Sequence, residues 1–249
     1  MIVLKSEKEL ELMKLAGRIC ATALKKAGEA VQPGVTTGEI DAIVRSYIEA
    51  QDAKPSFLGY SGYPASACIS VNDEVIHGIP GKRKIQEGDI VSIDVGAYIE
   101  GFHGDTAATF GAGKISPEAQ RLLDVTKESL YCGIRAAVIG NRIGDISAAV
   151  QSKAEGEGMS VVLDYVGHGV GAKLHEAPEV PNYGRAGRGP RLVKGMTIAI
   201  EPMINLGGYE VRGLSDNWTV VTEDGSLSAH FEHTIAITEN GPIILTQAL

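Results

Sequence analysis

Two short segments of this 249-residue chain recur at a nearly constant offset, and that recurrence limits the folds open to it. Gly38-Glu39-Ile40 returns as Gly144-Asp145-Ile146 after 106 residues, each reading as the opening of a helix after a turn. The run Glu87-Gly88-Asp89-Ile90-Val91-Ser92-Ile93-Asp94 returns as Lys194-Gly195-Met196-Thr197-Ile198-Ala199-Ile200-Glu201 after 107. In both copies a carboxylate follows six residues after a turn glycine. Each half thus reads as two helices followed by strands, with halves of roughly 1–110 and 111–249. Chance is the competing account, since Gly-x-apolar-apolar strand openings are common, but order and spacing agree together. Two such halves, packed about a pseudo-two-fold axis, bring Asp94 and Glu201 to equivalent places beside it. No Ser-, Pro- or acid-rich linker separates them, so the expectation is one α+β domain, 1–249, with its site between the halves.

Local signals fill in that outline. Ser6 with Glu9 and Thr36 with Glu39 are capping boxes, each followed by apolar residues at helical spacing. Pro33-Gly34 is expected to end the first of these helices. Ser116-Pro117 pairs an N-cap with a first-turn proline, and a shorter helix is expected near Gly144-Asp145. ACISV, DIVSIDVGAYI and DTAATF have the β-branched, alternating character of strands.

Composition excludes several function classes. A net charge of −8 with dispersed acids and no basic stripe argues against a nucleic-acid site. The first residues lack a signal-peptide pattern, and no run of about 18 apolar residues exists to span a membrane. Cys20, Cys68 and Cys132 are odd in number and far apart, which points to free thiols and a cytoplasmic location. No coiled-coil repeat demands a partner, so a monomer is expected.

The chemistry lies in five stretches: SIDVG, HGDTAAT, YVGHGVG, AIEPM and HFEHT, which present Asp94, Asp105, His168, Glu201 and Glu232. Four carboxylates about one point repel one another unless cations lie between them. With a single imidazole they suit a pair of first-row divalent ions, a standard device for activating water. Asp94 follows an apolar strand, and Asp105 lies eleven residues on, enough for a hairpin to return it beside Asp94. A turn-capping role also fits Asp105, which follows Gly104, but fits Asp94 poorly. Glu201 ends an apolar strand before Pro202. Glu232 is expected within one strand over SAHFEHTIAI, sharing a face with His230 and Thr234. His77 and His175 are further candidates, and Glu176 reads as an acid beside the site or on the surface.

HGIP, DVG, GDT, GHGVG, HE-x-P, EPM and FEHT stand here in an order that resembles the type I methionine aminopeptidases, over essentially the whole chain. The likeness is to the short bacterial form, without a zinc-binding N-terminal extension or a long insertion between His175 and Glu201. It implies the pita-bread fold, two αβ halves with a central curved antiparallel sheet and helices outside. It implies removal of the initiator methionine from nascent chains whose next residue is small, with transient ribosome contact. Asp94 would chelate one ion, His168 and Glu201 the other, and Asp105 and Glu232 would bridge both; cobalt, manganese, iron(II) and zinc all suit the set. Glu201 would also move the proton, His175 would stabilise the oxyanion and His77 would contact the scissile nitrogen. Tyr60, Tyr63, Cys68 and Trp218 would wall the methionine slot, and Asn72 and Ser228 would lie by a monovalent cation. Three positions depart from the family pattern. Ile139-Gly140 replaces Pro-Gly in a turn, while Ser61 and Leu174 stand at the expected entrance, where they bear on preference beyond the first residue.

The rivals are a prolidase, X-Pro aminopeptidase or creatinase-like hydrolase on the same fold, and a catalytically dead relative that binds RNA or protein. The former usually carry a large extra N-terminal domain. An intact ligand set and acidic charge speak against the latter.

Overall fold

A computed structural model describes residues 1–248. Helix α1, Glu7–Glu29, starts where the Ser6 hydroxyl accepts the Glu9 N–H and Glu9 reaches back to the Ser6 N–H at 2.8 Å. It stops short of Pro33-Gly34 because the Ala30 and Val31 N–H groups fold back onto the Ala27 and Gly28 carbonyls. α2, Thr37–Glu49, opens on the same device with Thr36 and Glu39. α3, Pro117–Ala136, starts from Ser116 with Pro117 in the first turn, where the missing N–H costs nothing. α4, Ile143–Gly156, opens as Asp145 accepts the Arg142 N–H at 2.7 Å.

The two helix pairs are tied down alike. Thr37 and Gly38 donate N–H groups to the Arg83 and Gly81 carbonyls; Ile143 and Gly144 donate to Pro190 and Arg188. A Cβ on Gly38 would lie 2.9 Å from the Gly81 carbonyl oxygen, and one on Gly144 would lie 2.8 Å from that of Arg188. The recurring glycine therefore serves close approach of a returning loop.

Among the described residues every strand pair is antiparallel. In the first half Ala67–Val71 and Phe102–Gly111 flank the central strand Ile90–Ile99. In the second, His233–Thr238, Thr197–Ile200, Gly167–Gly169 and Glu176–Val180 are neighbours in that order. The helices cover the outer faces. Cys20, Leu24, Ile40, Val44 and Ile48 pack on Ile69, Ile93 and Val95, and Leu130, Ile134, Ile146 and Val150 on Ile198, Ile200 and Ile235. Burying each such side chain contributes about 1.5–3 kcal/mol, which fixes the sheet on which the site is built.

The single strand expected over SAHFEHTIAI is instead two. Ser228–His230 pairs with Met203–Asn205, while His233–Thr238 pairs with Thr197–Ile200. The break at Phe231-Glu232 faces a break at Glu201-Pro202, bridged by the Phe231 N–H on the Pro202 carbonyl. Pro202 has no N–H to offer a ladder, so both chains bend there and change sheets.

Threonine hydroxyls join the halves at this bend. Thr234 exchanges two hydrogen bonds with the Asp105 backbone, at 3.2 and 2.7 Å. Thr106 donates to the Glu232 carbonyl at 2.8 Å, and the Glu232 N–H to the Ala107 carbonyl. Thr109 exchanges two with the His230 backbone, both at 2.9 Å.

Candidate metal centre

A two-residue turn at Glu100-Gly101, both with positive φ, folds Ile90–Ile99 back along Phe102–Gly111. Asp94 is opposite Ala107 and Asp105 opposite Gly96, so the two acids are diagonal neighbours on one face. Cys68 is opposite Asp94 on the other side and shares that face. Glycine at 104 lets the hairpin sit down on α1, since a Cβ there would lie 2.7 Å from the Gly17 nitrogen.

Glu201 and Glu232 come from the two facing breaks, where the chain has left the ladder and the side chains are free to turn inward. His168 is carried between glycines, and a Cβ at Gly169 would lie 2.5 Å from the Ala177 carbonyl. Its Nδ1 is 2.9 Å from the Gly169 carbonyl. A carbonyl only accepts, so Nδ1 carries the proton and the Nε2 lone pair faces the acids. Nε2 lies 3.5 Å from Glu201 Oε1 and 3.9 Å from Asp105 Oδ2. Burial, then His175, pushes the His168 pKa down to about 3, so these contacts involve a neutral imidazole.

Ligand atoms of Asp105, His168 and Glu232 all lie within 4.8 Å of one another. One oxygen on each of Asp94, Asp105, Glu201 and Glu232 is buried with no hydrogen-bond partner. Burial raises all four carboxyl pKa values, Asp94 to about 7; for Asp105, Glu201 and Glu232 the neighbouring acids add to the rise. Orphaned carboxylate oxygens this deep are costly unless protonated or bound to cations. The oxygen-rich set with one neutral imidazole fits divalent metal.

The acids lie at the end of a cavity of about 230 Å³. Its apolar wall is Phe57, Tyr63, Cys68 and Leu174, with Trp218 packed against them. The Tyr63 hydroxyl is fixed between the Ala67 and Gly78 carbonyls, and its ring meets Trp218 edge-on at 5.0 Å. His77, held at a positive φ of 59°, sits edge-on to Tyr165 and Trp218. Burial lowers its pKa to about 4, with a contribution from His175. His175 is at the mouth, its Nδ1 2.8 Å from the Tyr60 hydroxyl and its ring over His168.

Tyr60, Tyr63, Cys68, His77, Asp94, Asp105, His168, His175, Glu201, Trp218 and Glu232 therefore border one cavity. Asn72 and Ser228 lie apart from it, joined by the Ser228 N–H on the Asn72 carbonyl. Ser61 is exposed at the entrance as expected, but Leu174 is only 3% exposed and belongs to the slot wall. Phe57, Tyr165 and Lys5 carry no motif that marks them in the sequence. Glu176 proves to be paired with Lys5 in the interior.

Fold and site together define a class: a carboxylate-rich metallohydrolase at the seam of two αβ halves. A model of metallopeptidase family M24 matches residues 11–239. A methionine aminopeptidase of Clostridium perfringens is 55% identical over 246 residues, covering 99% of each chain. The solved structure of a methionine aminopeptidase from Thermotoga maritima is similar with a TM-score of 0.98 and 47% identity, covering 99% of this chain and 100% of that one. A prolidase from Pyrococcus furiosus, at 24% identity and a TM-score of 0.81, shares the fold alone, covering 99% of this chain and 66% of its own. The chain belongs to metallopeptidase family M24 and, within it, to the methionine aminopeptidases of the pita-bread fold.

Proposed function

We propose that this chain removes N-terminal methionine from new polypeptides whose second residue is small, using a dinuclear metal centre. The observation that carries the reading is the join of four carboxylates, each burying one oxygen without a hydrogen-bond partner, to a slot walled by Tyr63, Cys68, Leu174 and Trp218. Asp94 would hold one ion, His168 and Glu201 the other, and Asp105 and Glu232 both. Bound there, divalent cations supply the charge that makes water nucleophilic near neutral pH and a seat for the free α-amino group.

The chain's own residues do the rest. Glu201 accepts the proton of the attacking water and passes it to the leaving nitrogen. The carbonyl carbon gains the oxygen, its bond to nitrogen breaks, and methionine leaves the shortened chain. His175 donates to the carbonyl oxygen as charge develops there. Its Nδ1 is engaged by Tyr60, which leaves Nε2 for substrate. His77, kept neutral by burial, faces the scissile nitrogen. The sulfur of Cys68 and the edges of Tyr63 and Trp218 suit a thioether side chain.

A monovalent cation by Asn72 and Ser228 would rest on backbone carbonyls. The Asn72 side chain is already spent on Asp89 and on the Ile90 N–H, at 2.8 and 3.0 Å. Adding potassium to salt-free protein would raise its melting temperature if that site fills. We place the enzyme in the cytosol as a monomer that meets the ribosome transiently. Its three cysteines are free, and no described helix is long and apolar enough to cross a membrane. Sedimentation with and without ribosomes tests both partner statements.

The primary experiment strips the metal and restores Mn, Fe(II), Co or Zn separately without oxygen. Met-Ala-Ser should be cleaved, with little release from Leu-Ala-Ser, Met-Pro-Ser or an X-Pro dipeptide. Turnover of the X-Pro dipeptide alone would move the chain to the prolidase side of the fold.

A further inference from the structure

The loop from His168 to His175 brings two candidate functional histidines together, and what holds it comes from the far end of the chain. Gly169 and Glu176 face each other across the base of this loop. The Glu176 side chain turns back inside it, where Oε1 accepts the Lys173 N–H at 3.2 Å and Oε2 meets the Lys5 ammonium. Both side chains are almost fully buried, at 3% and 8% exposure. They pack directly against Gly171, where a Cβ would meet the Lys5 Nζ and the Glu176 carboxylate and one of them would have to shift.

Lys5 is itself pinned. Its N–H donates to the Gly195 carbonyl at 2.7 Å, its ammonium also reaches the Val3 carbonyl, and the next residue, Ser6, caps α1. The Gly171 carbonyl accepts the His103 N–H at 2.9 Å, so the loop is fastened from the hairpin side too.

A buried ion pair adds little net stability over apolar residues of the same volume. Its effect here is geometric, because it fixes a turn whose last residue before Glu176 is His175. Resting on the function proposed above, we propose that Lys5 is a positioning residue for catalysis, locking the 171–176 turn through Glu176 so that His175 is held over His168. Lys5 touches neither substrate nor metal.

The test compares Lys5→Met, Lys5→Arg, His175→Ala and the Lys5→Met/His175→Ala double variant, all metal-loaded, on Met-Ala-Ser. Lys5→Met should lower kcat about 10- to 100-fold, the scale on which small misplacements act. KM should stay within about twofold and bound metal should be unchanged, with Lys5→Arg recovering most of the rate. In the His175→Ala background Lys5→Met should cost less than about twofold, since both act through one group. An undiminished loss in that background, or no loss in the single variant, overturns the proposal. Amide hydrogen exchange gives a readout that needs no turnover: residues 171–175 should exchange faster in Lys5→Met. If the unaltered enzyme cleaved no peptide while exchange rose as expected, the proposed activity would fall and the lock would stand. Should Lys5→Met not fold, Glu176→Gln carries the same test, because it removes the charge at constant shape.

Discussion

The imidazole rings of His168 and His175 lie 4.1 Å apart, centroid to centroid, and tilted by 49°. One faces the acids through Nε2, while the other faces the cavity mouth with its Nδ1 on Tyr60. On the function proposed above, the two neighbouring rings have separable duties. His168→Ala should lose metal and activity together. His175→Ala should keep metal and lose about 10²- to 10³-fold in kcat, the usual cost of one oxyanion donor. Metal analysis beside steady-state kinetics decides it, and loss of metal from His175→Ala would refute the division.

The pH dependence follows from the raised carboxyl pKa values. In the unfolded chain these acids ionise near pH 4, whereas in the metal-free fold burial holds Asp94 protonated to about 7 and raises the other three well above their ordinary values. The neutral-acid contribution to metal-free stability is present below pH 4 and is lost as pH rises through the folded values. His168 has the opposite sign: its depressed pKa contributes stability above about 6.5 that is lost as pH falls toward about 3. Metal needs ionised acids and a neutral imidazole, so protons oppose its binding at both kinds of ligand. The melting-temperature gap between loaded and stripped protein should widen from pH 5 to pH 8. A constant gap would mean the acids do not bind metal.

The Thr234 hydroxyl bonds both the N–H and the carbonyl of Asp105. Thr234→Val keeps the shape but leaves the Asp105 N–H and carbonyl without those partners in a buried place. The expected cost is about 1–3 kcal/mol of stability together with weaker metal binding. Chemical denaturation and metal titration would show both, and a variant matching the parent in each would remove the hydroxyl from the account.

Specificity toward the second residue can be read on short peptides. Met-Ile-Val-Leu carries a β-branched second residue and should stay intact, whereas Met-Ala-Val-Leu should lose its methionine. Mass measurement of the two distinguishes them by one methionine.

Helix starts and the Asp94–Asp105 hairpin were legible in sequence because their causes are local. Ser6 and Glu9 stand three residues apart, and the two acids share one short hairpin. The break at Phe231-Glu232 was not legible: its stretch reads as unbroken strand, and the bend is imposed by Pro202 on the facing chain. Leu174 reads from sequence as an entrance residue because its burial depends on Phe57, Tyr63 and Cys68, far earlier in the chain. Lys5 and Glu176 are separated by 171 residues and carry no mutual signal at all.

The threonine contacts across the seam bear on when the protein becomes competent. Asp94 and Asp105 belong to the first half; His168, Glu201 and Glu232 belong to the second. Glu232 is reached only after all four helices and most strands have been made. With the ligand set proposed above, a partly synthesised chain would expose acids without a closed cage, and divalent ions would gain a firm hold only once both halves dock. Metal capture would then report on completed assembly, with the last of those ligands to emerge acting as the latch.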